Sequence, residues 1–147
     1  MGTYAQGAQT AGSGAQAGRD VGFALYSKTV AMQAAVAANV DVTTYLPDGA
    51  QIVDIIMDTL TAHTSASAAI SIGTSAAGGT ELASATTVTT GVRVRPTFTA
   101  AQLTAMNALV RNSAHLDEAI YVRLALGAVQ TAVGLTNVIF VYSLKVN

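Results

Sequence analysis

Cysteine is absent from the chain, which excludes a disulfide framework, a thiolate zinc site and a cysteine nucleophile, and leaves stability to core packing or self-association. That absence fits synthesis in a reducing cytoplasm. Tryptophan is also missing and aromatic residues reach only 5%, so a sugar-stacking face would be thin. Tyr4, Tyr26, Tyr45, Tyr121 and Tyr142 read mostly as ordinary strand residues with a wet hydroxyl. Charged residues make up 10% of the chain, against a usual share of about 25%. The net charge is −1 and lysine and arginine form no run, so the electrostatic footprint of a nucleic-acid or anionic-membrane binder is missing. Long hydrophobic runs are lacking too. The run Ile55 to Met57 with flanking Ile52 and Val53 is interrupted by Asp54 and Asp58, far short of the ~20 residues of a spanning helix. Before Arg19 there is no basic side chain and no continuous apolar core, so no secretory signal is expected.

What fills the chain is small residues. Apolar residues reach 51%, yet alanine alone supplies about a fifth of the sequence, giving apolar fraction without large sticky side chains. With 147 residues one domain with one core is the default. Residues 1–18 hold glycine, alanine, glutamine, serine and threonine with Tyr4 as their one large side chain. Such a stretch cannot bury enough surface to offset its ordering entropy. It reads as an extended arm, disordered until docked, or as a frayed terminus with no role. Residues 19–147 form the folded domain.

Within that domain the spacing is predominantly two. Val21, Phe23 and Leu25 share one face of a first strand, and Val40, Val42, Thr44 and Leu46 one face of another. Between them TVAMQAAVAAN also fits a helical period, with Val30, Ala34 and Ala37 recurring, and stays open between the two. Pro47-Asp48-Gly49 is a turn signal. QIVDIIMDTLTA puts Val53, Ile55 and Met57 on one face and Asp54, Ile56 and Asp58 on the other, as in a strand buried on one side and partly covered on the second. AAISIGT is a shorter strand and SAAGGTELASA a small-residue loop. In TTVTTGVRVRPTF, Val92 and Val94 alternate with Arg93 and Arg95 until Pro96 ends the ladder. Thr99 and Gln102 form a capping box with a Phe98/Leu103 staple, and Met106 and Val110 follow at helical spacing, which predicts a short helix over about 100 to 110. Ile120, Val122, Leu124 and Leu126, then Val138, Phe140, Tyr142, Leu144 and Val146, mark two closing strands that are expected to pair as neighbours. The expected core is Val53, Ile55, Met57, Val92, Val94, Ile120, Val122, Leu124, Phe140 and Tyr142. About eight short strands and one small helix argue for an all-β sandwich of the jelly-roll kind. No repeat period suggests a solenoid or propeller.

A catalytic reading finds little to work with. His63 and His115 lie in separate polar stretches without a carboxylate or second histidine at ligand spacing, and read as loop or surface residues. Asp54 and Asp58 stand about 13 Å apart along a strand, too far for a shared-proton dyad or a retaining glycosidase pair. They suit charge pairs with Arg93 and Arg95 on a neighbouring strand, or an intersubunit salt bridge. AAGGTE lacks the lysine and the strand-to-helix context of a phosphate loop and reads as a flexible loop, and no GxSxG elbow occurs. Neither a cofactor nor a metal is implied, and an enzyme is not expected.

The segments LPDGAQIVDIIMDT, AISIGTSAAGGTELAS, GVRVRPTFTAAQL and NVIFVYSLKV resemble the small head decoration, or cement, proteins of tailed bacteriophages, over about residues 40 to 147. None of these segments carries a chemical mechanism. The resemblance implies a jelly-roll domain on the outer surface of the capsid, commonly a homotrimer, whose partners are the major capsid protein and its own copies. Under it, Tyr4, Asp54, Asp58, Arg93 and Arg95 are the candidate interaction residues. Two alternatives are a carbohydrate- or receptor-binding sandwich of a virion, which needs an aromatic and acidic cluster at one end of the sandwich, and a tail or connector component.

Overall fold

The computed structural model describes residues 24–34, 39–76, 78–108 and 117–144. The expected arm at 1–18, Val21, Phe23, His115, Val110 and Val146 lie outside them. Among these described residues eight strands and one helix follow in the order β1 (Leu25–Ala34), β2 (Val40–Leu46), β3 (Ala50–Thr61), β4 (Ala69–Gly73), β5 (Ala83–Thr87), β6 (Arg93–Val94), α1 (Ala100–Ala108), β7 (Glu118–Ala125) and β8 (Gly134–Leu144). They form two four-stranded antiparallel sheets, β1-β8-β3-β6 and β2-β7-β4-β5. Strand 1 pairs with 8, 2 with 7, 3 with 6 and 4 with 5, while β8 also joins β3 and β7 joins β4. This is the order produced when one long hairpin, bent between β4 and β5, is rolled up on itself. It is the jelly roll the alternation predicts.

The core lies between the sheets. Met32, Ile55, Met57, Ile70, Ile72, Leu82, Ile120, Leu124, Val138 and Phe140 are fully buried there. The stretch open between helix and strand is strand through Ala34: Val30, Met32 and Ala34 point inward at a spacing of two, and β1 pairs with β8 without a register break from Leu25 to Ala34. Alanine's helical preference is worth less than about 1 kcal/mol per residue, and burying these side chains in a sheet outweighs it. The two closing strands are not neighbours. β7 lies in one sheet and β8 in the other, because the 126–133 connection crosses the sandwich, and alternation alone does not say which sheet a strand joins. At the Pro47 turn, Ala50 N–H donates to Pro47 O at 3.0 Å and Gly49 takes φ 79°, a left-handed value that a side chain resists. Proline therefore stands at the first of the four turn positions, and Asp48 and Gly49 form its two corners.

Two expected core residues face out. In β3 the register against β8 shifts between Ile52 and Asp54 and again between Thr59 and Thr61. Each shift is a bulge that leaves one residue unpaired. Val53 and Leu60 are those residues, 54% and 58% exposed, while Ile52 is 4% exposed. The inward set is Ala50, Ile52, Ile55, Met57 and Thr59, so strict alternation holds only between the bulges. Val92, 49% exposed, precedes a β6 of just two residues. Its carbonyl accepts from Thr59 N–H, but no ladder aims its side chain inward. Val94 and Tyr142 pack on the core from its margin. β5 begins at Ala83, inside the expected loop.

Candidate functional site

The charge ladder beside β3 follows from alternation on two strands. Asp54 and Asp58 point away from the core, and Asp58 stands opposite Arg93 in the β3–β6 register. Arg93 Nη2 meets Asp58 Oδ2 at 2.8 Å and Arg95 Nε meets Asp54 Oδ2 at 3.0 Å. The hydrogen bond that Arg93 donates to Asp58 raises the pKa of Arg93. Both arginines are exposed, so each pair contributes little to stability. Of the two readings of these four residues, the structure shows the cross-strand pairing within one chain. Tyr4 lies outside the described residues. A third pair went unread in the sequence: Arg123 of β7 sits opposite Asp41 of β2 and grips it bidentately at 2.7 and 2.8 Å. The hydrogen bond from Arg123 holds the Asp41 carboxyl below its ordinary pKa. Its signal was there in the outward positions of the two strands.

A groove opens beside α1. Its floor is one cross-strand row on the face turned away from the core, Leu25, Ser143 and Gln51, which are register partners across β1, β8 and β3. Ile52, the bulged Val53, Leu103, Met106 and Asn107 complete the wall around a volume of about 570 Å³. The helix is placed by its caps and by Gln102. Thr99 N–H donates to Gln102 Oε1 at 2.9 Å and Gln102 N–H to Thr99 Oγ1 at 3.2 Å, the reciprocal box the sequence predicts. Gln102 Nε2 then donates to Thr80 O and Ser84 Oγ, both at 2.9 Å, and Gln51 Nε2 to Asn107 Oδ1. Through these bonds α1 bridges the two sheets on the side where β6 is short. Phe98 packs on the core while Leu103 stays half exposed on the groove wall.

His63 is a loop residue as expected, but it is not on the surface. It is 4% exposed and joins residues distant in sequence. Its Nε2 lies 2.9 Å from Thr136 Oγ1, which lies 3.0 Å from Thr59 Oγ1, and its Nδ1 lies 3.0 Å from Gln130 Nε2. Burial pushes the imidazole pKa below its ordinary value. A hydroxyl within reach of an imidazole is the spacing of a nucleophile and its base. Here Thr136 is fully buried and the other ring nitrogen meets an amide, not a carboxylate, so no substrate reaches the hydroxyl and nothing orients the ring as a base. Among the described residues no three histidine, aspartate or glutamate side chains converge as a metal site would require. At the end of the AAGGTE stretch Glu81 accepts from Ser75 Oγ at 2.6 Å and from Thr74 N–H at 3.3 Å. The Ser75 bond foremost lowers the Glu81 pKa.

Exposed aliphatic side chains are the other surface feature. Leu25, Val53 and Leu103 rim the groove, and Leu60, Val92, Val129 and Val133 are exposed elsewhere. No helix among the described residues is long and apolar enough to cross a membrane. Comparison with protein-family models, curated proteins and solved structures finds no match to this chain.

Proposed function

We propose that this chain is a structural virion protein, a decoration protein that stabilises a tailed-phage capsid by bridging neighbouring major capsid subunits on its outer surface. The reading rests on the segments that resemble such proteins and on the jelly-roll strand order that accompanies them. The observation that carries it furthest is the groove rimmed by Leu25, Val53 and Leu103, apolar surface that a β-bulge and a helix hold outside the closed core. Such surface suits contact with another protein better than contact with solvent. The surface ion pairs are satisfied within the chain, so closely packed copies would meet with little charge repulsion. A protein that binds only the assembled shell stabilises that shell by linkage, and many weak identical contacts add through multivalency. In this role the chain acts as a homotrimer and carries out no catalysis.

The test mixes the purified chain with phage heads stripped of decoration. Co-sedimentation, added density at threefold positions of the lattice and a raised temperature of head disruption are expected. Heads that neither bind the chain at micromolar concentration nor gain heat resistance would sink the proposal.

A further inference from the structure

The His63 cluster does more than fill space. Gln130 sits in the connection between β7 and β8, and its amide is oriented by a second bond: Thr64 N–H donates to Gln130 Oε1 at 3.0 Å. The amide therefore turns its NH₂ toward His63, so the unprotonated Nδ1 accepts and the proton of the neutral ring sits on Nε2, facing Thr136. Thr131 N–H donates to Thr64 Oγ1 at 2.8 Å. These contacts tie the 126–133 connection to the 62–67 loop. Gly134 makes room for them, since a Cβ there would overlap the imidazole.

We propose that His63 is an acid-sensitive latch that holds the β7–β8 connection closed while its ring is neutral and releases it when the ring is protonated. Protonation puts an N–H on Nδ1, directly against the Gln130 NH₂, donor against donor. Turning the amide over offers Oε1 to the charged ring, but only by setting its NH₂ against Thr64 N–H. Either way one bond of the cluster is lost, the buried one to His63 or the half-buried one to Thr64, and an unpaired donor away from water is destabilising. Facing the imidazole are Thr136 and the Gly134 backbone of β8 and Gln130 of the connection, with Thr59 of β3 bonded to Thr136 behind them. None of them titrates in the acid range, and no charged group among the described residues contributes to the His63 pKa. The released segment displays Val129 and Val133, both already exposed, so acid would free an apolar loop at one end of the sandwich. The inference is independent of the capsid reading.

Two measurements on the full chain test it: the imidazole titration of His63 by NMR and amide-exchange protection factors at pH 7.5 and pH 5.0. Protection across residues 126–133 and 62–67 is expected to fall at least tenfold at the lower pH, with the β3–β8 ladder unchanged. Gln130→Glu puts a carboxylate at Nδ1 that accepts from the charged ring while its second oxygen still accepts from Thr64. In that variant protection should hold at pH 5.0 and the imidazole pKa should rise. A wild-type ring that stays neutral down to pH 4.5, equal protection at both pH values, or a Gln130→Glu chain that loosens in acid like the wild type would each overturn the latch.

Discussion

Truncating Ile52 and its neighbour Val53 separately to alanine distinguishes a bulged β3 from a regular one. Ile52 is 4% exposed and Val53 54% exposed, although a strict alternation through Ile55 and Met57 assigns them the other way round. Ile52→Ala removes three carbons from a buried site, about 2.4 kcal/mol at ~0.8 kcal/mol per carbon. The cavity left behind brings the loss to about 3 to 4 kcal/mol. Val53→Ala removes two carbons, about 1.6 kcal/mol if they were fully buried, and scaling by the half that is covered leaves about 0.7 kcal/mol. Equilibrium unfolding in urea resolves these values. At a slope of about 2 kcal/mol/M, the Ile52 variant loses roughly 1.5 to 2 M in midpoint and the Val53 variant less than about 0.5 M, with slopes unchanged. Equal losses, or a larger loss at Val53, would refute the bulge and restore the regular strand.

Phe140→Ala, at a fully buried site between the sheets, should cost about 3 to 5 kcal/mol in the same assay; a cost under 1 kcal/mol would mean that β8 faces the other way. Gly134→Ala forces the His63 ring aside and should destabilise by at least about 1 kcal/mol, whereas Gly91→Ala, which meets nothing closer than 3.7 Å, should be nearly neutral. Because the folded pKa of His63 is lowered by burial, the unfolded chain takes up this proton first as pH falls. Stability should therefore be full above about pH 6.5 and decline below it until the folded ring also titrates, by at most ~1.4 kcal/mol per pH unit for one proton; His63→Gln should flatten that part of the profile. The Asp41 carboxyl, held low by Arg123, should titrate at a higher pH by NMR in Arg123→Gln, and an unchanged titration would remove the pair from solution.

Where the chain obeys local rules, the sequence was legible. The capping box at Thr99 and Gln102 and the pairing of Asp58 with Arg93 depend on fixed short spacings or on simple alternation, and both are seen. Legibility fails where the deciding partner is remote. The extra residue at Val53 exists because β3 must stay in register with β8, some ninety positions later. The burial of His63 depends on Gln130 and Thr136, 67 and 73 residues away, and no local pattern announces that. β1 read ambiguously for the same reason, since its strand character comes from β8 and not from its own alanines. The groove could not be foreseen at all, because its walls come from β1, β3, β8 and α1.

The strand order also bears on how the chain is made. In one sheet β8 sits between β1 and β3, and in the other β7 sits between β2 and β4. A chain leaving the ribosome N-terminus first has produced β1, β2, β3 and β4 long before either central strand exists. Neither sheet can close during most of synthesis, and the first carries two unfilled edges until the residues after Gly134 emerge. Long-range pairings of this kind are slow to form and expose unpaired edges meanwhile. A chain cut short just before β8 therefore holds the strands of the second sheet and the β3–β6 pair, but leaves β1 with no partner and the first sheet split.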